Sequence, residues 1–272
     1  MTLATFLMAT VLLSVALSVA MTVAWAARRA TGNSGWVDVV WTFGLGGVGV
    51  AGALATWPGD AATSWRQLAV AGLLALWSVR LGTHIAQRTL MIDDDPRYAK
   101  LAREWGADAS WRMFQLLQKQ ALVSIPMAVA VFLAAHNPAP GFRFLDAAAI
   151  VVALVAIAGE MIADRQLRRF ASQGRGKGAV CDIGLWRYSR HPNYFFEWLG
   201  WTAYPLFAID LAGAYPWGWL ALAGPACMYW LLRHVSGVPP LEEHMLSSRG
   251  DAYRRYQKRT SAFFPMPAKS SA

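Results

Sequence analysis

The chain of 272 residues carries few charges and only two cysteines. Charged residues make up 15% of the sequence, whereas soluble globular proteins carry about 25%. This scarcity of charge argues against a soluble domain that folds alone. The cysteines, Cys181 and Cys227, form no spacing typical of a disulfide framework or a zinc site. The composition therefore excludes the small secreted scaffolds that disulfides or zinc hold together.

Apolar residues fill most of the chain, at 56% of the sequence, and include 14 tryptophans. An apolar run of about 20 residues is long enough to cross a bilayer as an α-helix. Such runs predict an all-α, polytopic membrane protein with seven transmembrane helices near 3–26, 36–56, 67–87, 114–135, 143–163, 193–211 and 216–233. The first run lacks a positively charged start and exceeds the apolar part of a signal peptide, so we expect it to remain as a membrane helix.

Lysine and arginine are distributed unevenly between the predicted loops. They concentrate after spans 1, 3 and 5 and in the tail, whereas the opposite loops hold little beyond Arg66 and Arg143. The positive-inside rule then places the N-terminus outside and the C-terminus in the cytoplasm, with short amphipathic helices on the cytoplasmic side. The net charge of +9 indicates contact with membrane lipids. Nucleic acid is not expected as a partner, because the basic residues are dispersed and match no binding fold.

Polar residues inside apolar spans are candidates for function, because they are costly in a bilayer. Asp38 lies at the start of span 2, where it is either a functional acid or one that only favours the positive end of the helix. His84 lies on a polar stripe of span 3, as part of a site or as a satisfied structural histidine. Glu160 and Asp164 lie one turn apart at the end of span 5.

Other local patterns predict packing, turns and loops. Four glycines of span 2 (Gly44, Gly46, Gly47 and Gly49) are expected to let another helix or a flat ligand come close. The acids at 93–95 match no metal-ligand spacing, so we predict a solvated turn before a short helix at 96–105, and no metal site. The loop 172–180 alternates glycines and cations that could wrap phosphates, but it lacks the residue order of a P-loop.

The stretch Gly184–Trp201, GLWRYSRHPNYFFEWLGW, has the most distinctive pattern. It begins with the basic residues Arg187, Arg190 and His191. Pro192 is well suited to the first position of a helix, which would place Asn193 and Glu197 one turn apart on the same face. Cations leading into an apolar helix that carries an acid indicate a site for a polyanionic ligand at a membrane surface.

Three segments resemble the steroid 5α-reductase-like superfamily, and more closely its bacterial membrane branch. They are the core RYSRHPNYFFEWLGW, the preceding GEMIADRQLRRF and the tail GDAYRRYQKRTSAFFP, spanning roughly 160–267. Spans 1–4 match only in layout. Related sterol reductases share the R-H-P-N-Y element, and isoprenylcysteine carboxyl methyltransferases share R-H-P-x-Y and a late pair of glutamates.

The resemblance implies an NADPH-dependent membrane reductase that acts on the CH–CH group of donors. It would transfer hydride to a conjugated C=C of a steroid-like or other lipid enone. The implied location is a bacterial inner membrane, with the cofactor site facing the cytoplasm. The chain 1–272 would form a single membrane domain, in which spans 1–4 provide the substrate side and 143–267 binds the cofactor.

The resemblance also implies site residues. The family's cofactor positions match Asp164, Asn193, Glu197 and Tyr256. We expect the cofactor phosphates to lie on the nearby basic residues Arg168, Arg169, Arg187, Arg190 and His191. The Gln-Glu pair that the steroid enzymes carry on helix 2 is absent. Asp38 and His84 are therefore the catalytic candidates at the substrate end.

Two other functions remain open at the level of sequence. The pair Glu242-Glu243 followed by GDAYRRY favours an S-adenosylmethionine-dependent methyltransferase. Glu197, and Asp164 with its basic neighbours, favour the reductase. A lipid-binding protein without catalysis would account for the spans but not for the polar stripes inside them.

Overall fold

The computed structural model describes residues 1–56, 63–173 and 178–269. Across those ranges the regular structure is helical, and β-type pairing is limited to one isolated bridge between Ser189 and Ser261. The α-helices are α1 (Leu3–Thr31), α2 (Trp36–Leu54), α3 (Trp65–Thr89), α4 (Pro96–Trp105), α5 (Ala109–Ala135), α6 (Phe144–Ser172), α7 (Pro192–Trp201), α8 (Ala203–Ala208), α9 (Ala223–Trp230) and α10 (Val238–Arg259). The predicted all-α class is confirmed. Residues 174–177, within the predicted glycine–cation loop, lie outside the described residues.

Five helical segments are long and apolar enough to cross a membrane, and they identify an integral membrane protein. They are Leu3–Thr31, Trp36–Leu54, Trp65–Thr89, Pro96–Ala135 and Phe144–Ser172. They confirm the first five predicted spans.

The sixth and seventh predicted spans are interrupted helices. In the sixth, α7 ends at Trp201 and α8 begins at Ala203. Pro205 has no backbone N–H to bond to the carbonyl of Trp201, which accounts for a break there. The seventh consists of a 3₁₀ helix (Pro216–Leu222), α9 and a π turn (Leu231–Val235). Proline at 225 removes the corresponding bond at the junction between the 3₁₀ helix and α9.

Helix ends follow local chemistry. Ser64 and Gln67 form a reciprocal capping box at the start of α3. Asp95 caps α4, with Pro96 at the first position. Pro192 opens α7, as its sequence predicts. Gly32 ends α1 in the left-handed conformation, at φ 72°.

The chain divides into two compact units, which are described separately. The first comprises Met1–Arg143 and Tyr204–Gly224. Within it α2 packs against α1, α3 and α5. Gly44 lies against Ala20 of α1, and Gly46 and Gly49 lie against Ser78 and Leu74 of α3, so the helix approach predicted from the glycines is found at three of the four positions. Gly47 faces open space instead.

The second unit comprises Phe144–Ala203 and the chain from Pro225 onward. In this unit α6 packs against α7, and the ring of Phe196 lies over Gly159. The tail after α10 returns to the R-H-P-N-Y element. There Arg190 N donates to Ser261 O at 2.8 Å, and Ser189 Oγ donates to Phe263 O at 2.8 Å. The second unit therefore holds together all three segments that carry the resemblance.

Candidate functional site

In the second unit, α6 and α7 bury acidic side chains that the sequence singled out. Glu160, Asp164 and Glu197 are each no more than 7% exposed. Asn193 Nδ2 points at Asp164 Oδ1 across a long contact of 3.5 Å. Trp201 Nε1 donates to Glu197 Oε1 at 2.9 Å. The structure thus brings Asp164 and Asn193 together and holds Glu197 in place one turn further along α7.

Three acids buried in a helix pair of a membrane protein are costly to maintain. α6 is itself long and apolar enough to span a bilayer. No group of three or more His, Cys, Asp or Glu side chains in the described ranges is arranged to hold a metal ion. Carboxylates and an amide in this arrangement are suited to accept hydrogen bonds from hydroxyl or amide groups of an organic ligand.

A second polar cluster is centred on Glu242 of α10. The Glu242 Oε1 atom lies 2.6 Å from Arg190 Nε and 3.2 Å from His191 Nε2. Tyr253 OH donates to the same oxygen at 3.3 Å, and Gln257 Nε2 donates to Oε2 at 2.9 Å. Glu242 therefore joins α10 to the R-H-P element through Arg190 and His191, and it also binds Tyr253 and Gln257 of α10 itself.

Electrostatics in this cluster follow from burial and from the ion pairs. Burial alone raises the pKa of Glu242, but hydrogen bonds and charge from His191 and Arg190 outweigh it and lower that pKa to about 2. Burial lowers the pKa of His191 from its ordinary value, against the opposing effect of Glu242. His191 Nδ1 is buried and has no hydrogen-bond partner in the described part of the chain.

The predicted phosphate-binding arginines have different surroundings. Arg168, Arg169 and Arg187 are exposed. Arg190 is mostly buried, and besides Glu242 its Nη1 donates to the carbonyls of Gln257 at 3.1 Å and Thr260 at 2.5 Å. The charge of Arg190 is thus compensated within the unit.

Tyr256, the predicted tail contact, is also enclosed by protein. It is 2% exposed. Its hydroxyl donates to the backbone carbonyl of Trp186 and lies 3.3 Å from that of Ser189. Because its hydroxyl is hydrogen-bonded to backbone carbonyls just before the R-H-P element, Tyr256 holds α10 against that segment.

In the first unit, Asp38 is part of a polar network. Its Oδ2 accepts from Arg97 Nη2 at 2.5 Å and its Oδ1 from Tyr98 OH at 3.1 Å. Tyr98 OH in turn accepts from Gln120 Nε2 at 3.0 Å. His84 lies half-buried on α3. Arg97, Tyr98 and Gln120 were missed by sequence reasoning, because they lie on α4 and α5, far along the chain from Asp38.

The acidic turn at 93–95 is not simply solvated, and that prediction is corrected. Only Asp93 is exposed. Asp94 Oδ1 accepts from the backbone N–H groups of Ser34 and Asp95, at 2.7 and 2.8 Å. Asp95 is 3% exposed and binds Arg97 through both carboxylate oxygens. Asp94 and Asp95 are therefore not simply solvated, because Asp94 accepts from backbone N–H groups and Asp95 caps α4 and binds Arg97.

Comparison with known proteins gives a family without an assigned activity. A family model described as a protein of unknown function (DUF1295) matches residues 24–260. An uncharacterised protein of Schizosaccharomyces pombe is 37% identical over 98 residues, which cover 35% of this chain and 25% of that protein. The match thus spans about a quarter of the relative's length. No solved structure matches the chain. Because the family model covers most of the sequence, the chain belongs to the DUF1295 family.

Proposed function

We propose that this protein is an NADPH-dependent membrane reductase that transfers hydride to the conjugated C=C of a steroid-like or other lipid enone. The observation that carries the proposal is the pair of buried acids Asp164 and Glu197 on α6 and α7, with the half-buried Asn193 pointing at Asp164. These residues occupy the positions through which the chain resembles the steroid 5α-reductase-like superfamily. Acids buried in a membrane protein lower its stability, so their presence here indicates a function other than packing.

The residues of the second unit fit this cofactor. Carboxylates and the Asn193 amide suit ribose hydroxyls and a carboxamide, and exposed guanidinium groups suit phosphates. Arg168 follows Asp164 at the i+4 position, on the same face of α6, and Arg187 is exposed on the approach to α7. When bound, NADPH supplies the hydride. The protein's part is to orient the ribose and carboxamide and to neutralise the phosphates.

We assign substrate binding to the first unit, with Asp38 and His84 as the candidate catalytic residues. A developing enolate oxygen needs a hydrogen-bond donor, worth about 3 kcal/mol when well placed. The hydroxyl of Tyr98 donates its single proton to Asp38 and accepts from Gln120, so it holds Asp38 in place in this unit. A proton must also reach the neighbouring carbon, which general acid catalysis by Asp38 or His84 would supply.

The same proposal includes seven membrane crossings, with the N-terminus outside and the cofactor site facing the cytoplasm of a bacterial inner membrane. The interrupted helices at 192–208 and 216–235 would be the sixth and seventh crossings. The concentration of arginine and lysine between α6 and α7 and in the tail supports this orientation.

One observation favours a second candidate, an S-adenosylmethionine-dependent methyltransferase of the isoprenylcysteine carboxyl methyltransferase type. Those enzymes share R-H-P-x-Y and a late glutamate pair. In this chain Glu242, the first of its pair, binds both Arg190 and His191. The reductase is preferred because it also accounts for Asp164 and Glu197, which the methyltransferase assignment leaves without a role.

Thermal unfolding of the purified protein separates the candidates. A ligand present at 100 times its Kd stabilises the protein by about 2.7 kcal/mol, or about 5–10 °C in Tm for a chain near this size. We expect NADPH to produce that shift and S-adenosylmethionine to produce none. A shift with S-adenosylmethionine alone would establish the alternative, and no shift with either would favour a non-catalytic lipid-binding protein.

Turnover is tested by following NADPH oxidation with a 4-en-3-one steroid as probe. The matched variant is His84→Phe, which removes the imidazole and keeps an aromatic ring. Normal NADPH stabilisation with strongly reduced turnover would support His84 at the substrate end. Full turnover would remove it from that role and leave Asp38 as the remaining candidate.

A further inference from the structure

A groove of about 410 Å³ lies on the second unit, along one exposed face of α6. Val155, Ile162 and Gln166 of α6 line it together with Phe196 of α7. The amide of Gln166 closes one end, where its Oε1 accepts from Leu185 N at 2.9 Å. Apart from this amide, the side chains that line the groove are apolar. The groove is therefore apolar along its length, with the polar amide of Gln166 at one end.

The face of α6 that lines the groove differs from the face that carries the acids. Val155 and Ile162 are 50% and 45% exposed, although both belong to a helix apolar enough to span a membrane. Glu160 and Asp164 are buried on the other side of the same helix. The groove thus lies outside the proposed cofactor site.

Helix geometry separates two neighbouring arginines between these faces. Arg169 follows Ile162 at i+7 and Gln166 at i+3, so it continues the groove face. Arg168 follows Asp164 at i+4 and continues the acid face. Both arginines are exposed. The groove therefore leads from apolar side chains to an amide and then to an exposed cation.

That order matches a phospholipid. An apolar groove along a membrane-spanning helix gains dispersion contacts when a hydrocarbon chain fills it. Arg169 lies beyond the end of the predicted span 143–163, so we expect its guanidinium at the level of the lipid headgroups, where basic side chains attract anionic lipids. A zwitterionic headgroup attracts Arg169 less, because its ammonium group offsets the negative charge of its phosphate.

We propose that this groove binds one acyl chain of an anionic phospholipid, whose phosphate is held by Arg169. The occupant is a lipid of the surrounding membrane. The inference does not depend on the reductase, because none of its apolar contacts belongs to the proposed cofactor or substrate residues. It also separates Arg169 from the phosphate-binding role of Arg168.

The test is native mass spectrometry of the purified protein in detergent, titrated with dioleoyl phosphatidylglycerol or dioleoyl phosphatidylcholine. We expect one saturable phosphatidylglycerol site, about fivefold tighter than for phosphatidylcholine, which is about 1 kcal/mol for one basic residue. Ile162→Trp fills the groove, and we expect it to weaken phosphatidylglycerol binding by about tenfold or more, through lost chain burial. The matched control is Leu154→Trp, at an equally exposed position of α6 (46%) outside the groove lining.

The charge is tested separately. Arg169→Gln should abolish the preference for phosphatidylglycerol, and Arg255→Gln, at an exposed arginine of α10, should retain it. Unchanged phosphatidylglycerol binding in Ile162→Trp would overturn the proposal. So would equal losses in the two arginine variants, since these would indicate diffuse attraction. If Ile162→Trp does not fold, Val155→Trp fills the same groove and is read by the same criteria.

Discussion

The guanidinium of Arg190 lies 2.6 Å from the carboxylate of Glu242, a residue 52 positions further along the chain. The same carboxylate oxygen lies 3.2 Å from His191 Nε2. The most distinctive basic element of the sequence is therefore tied to α10 by an ion pair. Because this pair is largely shielded from water, at 11% and 16% side-chain exposure, its loss should affect stability before ligand binding.

Removal of Glu242 should destabilise the protein. Glu242→Ala leaves the partly buried Arg190 and His191 without their acceptor, a change that costs about 3 kcal/mol. We expect Tm in detergent to fall by about 6–12 °C. The control is Glu243→Ala, at the exposed neighbouring glutamate, which should shift Tm much less. Equal falls in Tm in the two variants would show that the Arg190–Glu242 pair contributes no more to stability than an exposed glutamate does.

Stability should depend on pH through His191. Burial lowers the pKa of His191, as does repulsion from Arg190 and Arg233, against the opposing effect of the hydrogen bond that the ring donates to Glu242. The folded protein therefore binds a proton at His191 less readily than the unfolded chain, which takes one up near the ordinary pKa of about 6.5. A lowered folded pKa means that stability is present above that value and is lost as pH falls.

The measurement is Tm between about pH 7.5 and pH 5.5, the range in which histidine titrates. Wild-type Tm should fall towards the acid side, and the slope should flatten in His191→Gln. His244→Gln, at an exposed histidine of α10, should keep the wild-type slope. A wild-type slope in His191→Gln would assign the acid sensitivity to other groups.

Neighbouring glycines of α2 should respond in opposite ways to the same substitution. A methyl group at Gly46 overlaps the side chain of Ser78 on α3, whereas a methyl at Gly47 meets open space. Gly46→Ala should therefore destabilise the protein by about 1–3 kcal/mol through overpacking. Gly47→Ala should be neutral or stabilise it by roughly 0.5–1 kcal/mol through helix propensity. Denaturation of the purified variants in detergent checks both, and equal effects would contradict the close approach of α2 to α3.

Asp164 should matter for NADPH binding. Asp164→Asn keeps the shape of the side chain but removes its charge, and a hydrogen bond to a charged group is worth about 1.5–3 kcal/mol. We expect NADPH affinity to fall by about tenfold to a hundredfold, measured by titration of the thermal shift. Asp251→Asn, at an exposed acid that pairs with Arg254, is the matched control. An unchanged affinity in Asp164→Asn would remove that residue from the cofactor site.

Local features of the fold were predictable from sequence because helices depend on nearby residues. The apolar runs predicted the five long helices, and Pro192 predicted the start of α7. The same local rules, applied to Pro205, would have predicted the break after Trp201. The spacing of Glu160 and Asp164 likewise placed both acids on one face of α6.

The sequence by itself determined an all-helical membrane protein and the pairs of residues that share a helix face. Only the tertiary structure decided which distant residues meet. Arg190 is a candidate for phosphate by composition, yet it is bound to Glu242 and to backbone carbonyls. Asp38 is an isolated acid in the sequence, yet it binds Arg97 and Tyr98, about 60 positions away. The physical reason is that an ion pair depends on distance through space, and no helical period or local rule encodes the position of a partner on another helix.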